Sequence, residues 1–154
     1  MILAEPLHLV DVNVLIARLF ERHEHHRAAL EWFQTPGLQW ALCPWAEAGF
    51  LRYATRPERI TMSEATGILD RLAQHPGCHY HPITHNWSTL TKPFFQRLHG
   101  HNQVTDAFLL GMAIKDGLVL ATFDRAILHM AGEHQAHVLV LPGLTAKGPQ
   151  SKGS

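Results

Sequence analysis

Four acidic residues stand where solvation explains them poorly: Asp11, Glu47, Asp106 and Asp124. Asp11 closes the apolar run "LHLVD" and Asp124 closes "LVLATFD", while Glu47 lies among Trp45, Ala46, Ala48 and Phe50, and Asp106 opens "VTDAFLLGMAI". Burying an unpaired carboxylate costs several kcal/mol or forces it to take up a proton. Two carboxylates about 5 Å apart repel by about 3 kcal/mol at an effective dielectric of about 20, so a cluster of them calls for protons or cations. Hard divalent ions meet that need, and Mg²⁺ in particular binds a few carboxylates while leaving positions open to phosphate oxygens. One or two such ions activate a water and stabilise the leaving oxygen in phosphodiester cleavage. Asn13 and the Thr122 hydroxyl are candidates for orienting the carboxylates or a water.

Gathering residues so far apart in sequence requires a particular frame. Strand-like and helix-like apolar segments alternate along the chain, which predicts an α/β domain with a mostly parallel sheet. "LHLVD", "LQWALC", "CHYHPI", "LVLATFD" and "HVLVL" read as strands. "HRAALEWF", "PWAEAGFLRYAT", "EATGILDRLAQH", "VTDAFLLGMAIKDG" and "RAILHMA" read as helices, with Pro44 in a first turn, Thr61 and Ser63 as competing N-caps and Gly117 as a C-cap. "NWSTLTKPFFQRLH" reads as helical with a kink or a restart at Pro93, and "HGHNQ" as a polar loop. With right-handed crossovers, strand exits and the helix starts that follow them share one edge of such a sheet. That edge is where these folds bind ligands, so the four acids are expected to converge there.

Composition narrows the class. A chain of 154 residues suits one domain with its own core, expected over residues 1–144 with a flexible tail over 145–154. Lys plus Arg and Asp plus Glu both number 13, so any polyanion must be gripped locally rather than by a global basic field. Cys43 and Cys78 are too few for a disulfide framework, which predicts a reducing, cytoplasmic setting. No apolar window approaches ~18 residues and no basic leader precedes one, so neither a membrane span nor export is expected.

The motifs resemble the PIN-domain ribonucleases of the VapC toxin type over nearly all of residues 7–141. "DVNVLI" is similar to that family's opening Asp-x-Asn-x-Leu motif, "AEAGFLR" to the helix bearing its second acid, and "VTDAFLLGMAIKDGLVLATFDRAI" to the block with its third and fourth. Pro44 and Trp45 stand where many relatives carry Ser or Thr. The resemblance implies a three-layer α/β/α PIN-like domain in which Asp11, Glu47, Asp106 and Asp124 form a Mg²⁺ or Mn²⁺ site supported by Asn13 and Thr122. It also implies endoribonuclease activity on single-stranded or loop RNA, homodimerisation, and inhibition by a VapB-type antitoxin. The alternatives are a PIN-like scaffold that binds RNA or protein without cutting, and a phosphatase with Asp11 as nucleophile. The phosphatase would want a second Asp where Asn13 stands.

The remaining polar residues carry weaker signals. His23, His25 and His26, and His79 with His81, invite a zinc reading, but no Cys or acid stands at a zinc spacing around them, so they read as solvated or capping histidines. His101, just upstream of Asp106, and Arg18 and Arg52, on helices leaving the first two strands, are candidates to touch RNA. Trp32, Phe33, Trp40 and Phe50 read as core or dimer contacts.

Overall fold

A computed structural model describes residues 6–57 and 59–142. The boundary at 144 and the tail expected beyond it lie outside those residues. Five short parallel strands form one sheet in the order β3-β2-β1-β4-β5, with β1 His8–Val10, β2 Trp40–Leu42, β3 Cys78–Tyr80, β4 Val119–Thr122 and β5 Val138–Val140. β1 pairs in register with β2 (Leu9 opposite Ala41) and with β4 (Leu9 opposite Leu120). Leu9, Ala41 and Leu120 are fully buried, as expected for a parallel sheet covered on both faces.

The chain leaves β1 in one direction through β2 to β3, then returns to build β4 and β5 on the other side. Right-handed crossovers therefore place α1 (Val12–Leu19), α2 (His26–Phe33), α3 (Pro44–Ala54) and α4 (Met62–Ala73) on one face. α5 (Trp87–Thr91), α6 (Val104–Asp116) and α7 (Ala126–Ala131) cover the other. The order of connections reverses between β1 and β4, which opens a crevice above their carboxyl ends. Asp11 and Asp124 stand at that opening, because each directly follows or nearly follows one of these two strands.

The helix boundaries have local causes. Thr61 outcompetes Ser63 as the N-cap of α4, since its hydroxyl accepts from Glu64 N and the Glu64 carboxylate accepts from Thr61 N, a reciprocal capping box. α6 ends at Gly117, whose φ of 72° lies in the left-handed region that glycine enters without a Cβ penalty. The segment after Asn86 restarts near Pro93, as expected, with a 3₁₀ helix over Lys92–Arg97. The "HGHNQ" stretch is not wholly loop: His101–Gln103 forms one 3₁₀ turn that leads into α6, and a second, Gly132–His137, precedes β5. Such turns rest on single bonds such as Gln103 N to Gly100 O and leave no periodicity to read. Among the described residues no helix is long and apolar enough to cross a membrane.

One close approach between helices lies next to the crevice. A Cβ on Gly49 of α3 would come 2.6 Å from Cγ2 of Val12 on α1. Valine is stiff about χ1 and cannot swing clear. Gly49→Ala is therefore expected to lower stability by about 1–2 kcal/mol net, since overpacking of about 1–3 kcal/mol outweighs the gain of at most about 1 kcal/mol in helix propensity. Gly67→Ala on α4 is the control, because its Cβ would meet only an Arg71 guanidinium nitrogen at 3.6 Å. Urea unfolding should move the two midpoints in opposite directions; a shift in the same direction would contradict this packing.

Candidate active site

Asp11 is 2 % exposed and extended (φ −74°, ψ 157°), and it caps α1 by accepting from Val12 N at 2.6 Å through Oδ1. Its Oδ2 accepts from the Thr122 hydroxyl at 2.6 Å. Thr122, fully buried at the end of β4, also accepts from Asn13 Nδ2 at 3.2 Å and from Asp124 N at 3.0 Å. Asn13 returns the link, since its Oδ1 accepts from Phe123 N at 3.2 Å. Asn13 and Thr122 thus lock the exit of β1 to the exit of β4 and fix the backbone on either side of Asp124. The "x-Asn" of the opening motif and the "Thr-x-Asp" of the closing block form one hydrogen-bonded unit.

Asp106 enters from the first turn of α6. Burial pushes its carboxyl up to about 7, and the charges of Asp11 and Asp124 push in the same direction. Asp11 is pushed up to about 6, by burial first and by Asp124 last, against the lowering effects of the Thr122 and Val12 hydrogen bonds. Asp106 therefore senses the charges of Asp11 and Asp124, and Asp11 senses that of Asp124. None of them forms an ion pair with another described residue. Asp11 and Asp106 line a cleft of about 300 Å³ together with Val12, Asn13, Ile16, Gly49, Arg52, Tyr53, Arg56 and Thr105.

The structure does not bring Glu47 into this cleft. Its carboxyl is pushed up by burial and then by Asp70 of α4, and it acts in turn on Cys78 and Tyr80 of β3. The reason is helical geometry. Gly49, Arg52, Tyr53 and Arg56 are the residues of α3 and its C-terminal exit that face the cleft, and Glu47, two positions before Gly49, stands about 200° around the helix from it. Cys43, the N-cap of α3, feels both charges: its thiol is pushed up to about 11 by burial, with smaller contributions from Glu47 and Asp11.

The other sequence candidates divide similarly. Arg52 lines the cleft. His101 is exposed on the turn that precedes α6. Arg18 is elsewhere, lining a separate hollow between α1 and α4 with Leu19, Ile68, Arg71, Leu72 and His75. His79 and His81 are engaged by Gln39 and Asp116. The histidine-rich stretch is less solvated than its composition suggests: His25 stacks on Phe123 (centroids 4.6 Å apart, 15° between planes), beside Asp124. Tyr53 and Thr105 line the cleft without having been singled out, and no local pattern marks them.

The donor set fits a hard cation in its chemistry. It offers carboxylate oxygens with no soft ligand, two of them held partly protonated near neutrality by burial and mutual repulsion that a divalent ion would relieve. As the side chains stand, no three His, Cys, Asp or Glu among the described residues converge on one ion. Asp106 and Asp124, only half-buried, would have to rotate inward.

Residues 8–133 match the PIN domain family, and the chain belongs to it. Its relatives place it among the VapC-type members of that family. Ribonuclease VapC38 of Mycobacterium tuberculosis is 36 % identical over 128 residues, spanning 80 % of this chain and 89 % of that protein. Ribonuclease VapC44 of the same species is 32 % identical over 143 residues, spanning 86 % and 98 %. The fold agrees: the VapBC2 structure from Rickettsia felis, solved on a promoter DNA fragment, superposes with a TM-score of 0.64 at 10 % identity, covering 88 % of this chain and 98 % of that one. M. tuberculosis VapC20, a sarcin-ricin loop cleaving toxin, gives 0.62 at 12 % identity, covering 79 % and 93 %.

Proposed function

We propose that this chain is a divalent-metal-dependent endoribonuclease acting on single-stranded or loop RNA in the cytoplasm, as the toxin of a toxin–antitoxin pair. The observation that carries the reading is the trio Asp11, Asp106 and Asp124 at the β1–β4 crevice, where the charge of Asp124 acts on Asp11 and the charges of both act on Asp106, and none of the three is ion-paired with a described residue. Its relatives named VapC ribonucleases support the reaction class, and neighbours solved as toxin–antitoxin complexes support a VapB-type antitoxin as partner. Homodimerisation belongs to the same reading.

The three aspartates would hold Mg²⁺, or Mn²⁺ in its place. The ion, when bound, supplies Lewis acidity and lowers the pKa of its water for attack on a phosphodiester. The rest falls to the protein. Thr122 and Asn13 hold Asp11 and the Asp124 backbone in fixed positions. The apolar floor of Val12 and Ile16 limits water around the carboxylates. Glu47 enters this scheme only through a change in its side-chain direction or an ordered water between it and the cleft.

Purified protein should cut RNA in Mg²⁺ or Mn²⁺ and stop in excess chelator, and Asp11→Ala should lower the rate by at least about a hundredfold while the protein still folds. Calorimetric titration with Mn²⁺ should detect binding that Asp11→Ala abolishes. Cleavage that survives the chelator would overturn the metal-dependent reading. Absence of carboxylate-dependent Mn²⁺ binding would favour a non-catalytic scaffold.

A further inference from the structure

The two walls of the cleft carry opposite charge and do not neutralise each other. Asp11 and Asp106 form one side, and Arg52 and Arg56, one helical turn apart on α3 and its exit, form the other. Neither arginine forms an ion pair with a described residue. Nor does either contribute to the shifts of Asp11 or Asp106, which are set by burial, local hydrogen bonds and the other aspartates. Val12, Ile16 and Gly49 between them carry no side-chain donor, and of the other polar lining residues Asn13 already donates to Thr122.

Tyr53 holds one of the two arginines, Arg56. Its ring is occupied: Phe20 meets it edge-on at 5.3 Å, the Arg59 guanidinium lies 4.2 Å from its centroid and that of Arg56 lies 5.2 Å away. A ring engaged on these sides is not a free stacking platform for a base. It serves as a support that holds the exposed Arg56 guanidinium at the cleft through cation–π contact.

We propose that Arg52 and Arg56 form a phosphate clamp that grips the RNA backbone at a linkage flanking the one that is cut. The inference rests on the ribonuclease reading and adds how substrate is held. Guanidinium is matched to phosphate by its planar fork of donors, and contacts of this kind fix the register of a strand without reading its sequence. The clamp also answers the balanced net charge of the chain, since the cationic grip is concentrated where the strand must pass.

The test pairs protein and substrate changes. A short RNA containing the cleavage site is prepared with one neutral methylphosphonate linkage, moved stepwise away from the scissile position. Wild type should lose about tenfold in kcat/KM when one flanking linkage is neutral, mostly through KM. The doubly substituted Arg52→Ala/Arg56→Ala protein should lose a similar factor on ordinary RNA and little more on the neutralised one. Separately, anisotropy of labelled RNA in chelator should show the slope of log K against log salt shrinking by about 0.7 in the double variant, the value for one phosphate neutralised on a single strand, and Arg52→Lys/Arg56→Lys should retain most of it. Losses that simply multiply, or an unchanged salt slope, overturn the clamp. If wild type cuts no RNA in Mg²⁺, the ribonuclease reading fails instead, and the anisotropy measurement still decides the clamp.

Discussion

Asp106→Asn is expected to make the metal-free protein more stable at pH 8 while removing cleavage. The Asp106 carboxyl is pushed from 3.8 up to about 7 in the folded state, by burial first and then by Asp11 and Asp124. A carboxyl raised in this way binds its proton more tightly folded than unfolded. Its contribution to stability is therefore complete below about pH 4 and is lost as pH rises through about 7. Above that, the folded protein carries a charge it does not favour. The three-unit difference corresponds to about 4 kcal/mol, and solvent at a half-buried site reduces it to about 2–3 kcal/mol. Asn keeps the shape and never ionises, so the variant should melt about 4–10 °C higher than wild type at pH 8 in chelator, and the gap should narrow on acidification and close only below about pH 4. Adding Mn²⁺ should raise the melting temperature of wild type and leave the variant nearly unmoved, because the ion binds the folded form through the missing carboxylate. RNA cleavage by the variant should fall by at least about a hundredfold. A variant less stable than wild type at pH 8 without metal would mean that Asp106 is a structural acid and that the crowding of charge at the crevice is illusory.

That crowding was legible in the sequence because its causes are local. Apart from β3, each strand is a short apolar run stopped by Asp, Pro or a turn, and an acid right after a buried parallel strand falls at the ligand-binding edge. Gly117 and the Thr61–Glu64 pair announced helix ends by chemistry that needs no neighbour. Glu47 shows where such reading stops. Spacing placed it correctly in the first turn of α3, but the direction of its side chain depends on which face α3 turns to α1, and that is fixed by Gly49 seating on Val12. Arg18 shows the same limit, since it follows Asp11 on α1 yet points to α4. The stacking of His25 on Phe123 joins two segments with no shared pattern at all. Local rules located the elements and their edge; the rotation of each helix came from packing between residues far apart in the chain.

Thr122→Val should be among the most damaging single changes that leave core volume nearly untouched. The Thr122 hydroxyl donates to Asp11 Oδ2 and accepts from Asn13 Nδ2 and Asp124 N, all in a site where Thr122 has no exposure. Valine matches its shape but leaves three polar groups without that partner. Each unsatisfied group costs about 1–3 kcal/mol, and because they share one hub the expected total is about 3–5 kcal/mol rather than their sum. Thr122→Ser keeps the hydroxyl and loses a buried methyl, for about 1 kcal/mol. Urea unfolding should thus rank wild type, Ser and Val in that order with the large gap between Ser and Val. The acid limb of the pH–rate profile gives an independent reading. The hydroxyl lowers the Asp11 pKa from where burial alone would set it, so its loss should move Asp11 above about 6 and shift that limb upward in the Val variant. In the Ser variant the limb should stay near its wild-type position. Packing loss alone would lower stability in both variants and leave the profile where it was, so a stationary limb in Thr122→Val would show that the hydroxyl holds the fold without tuning the carboxylate.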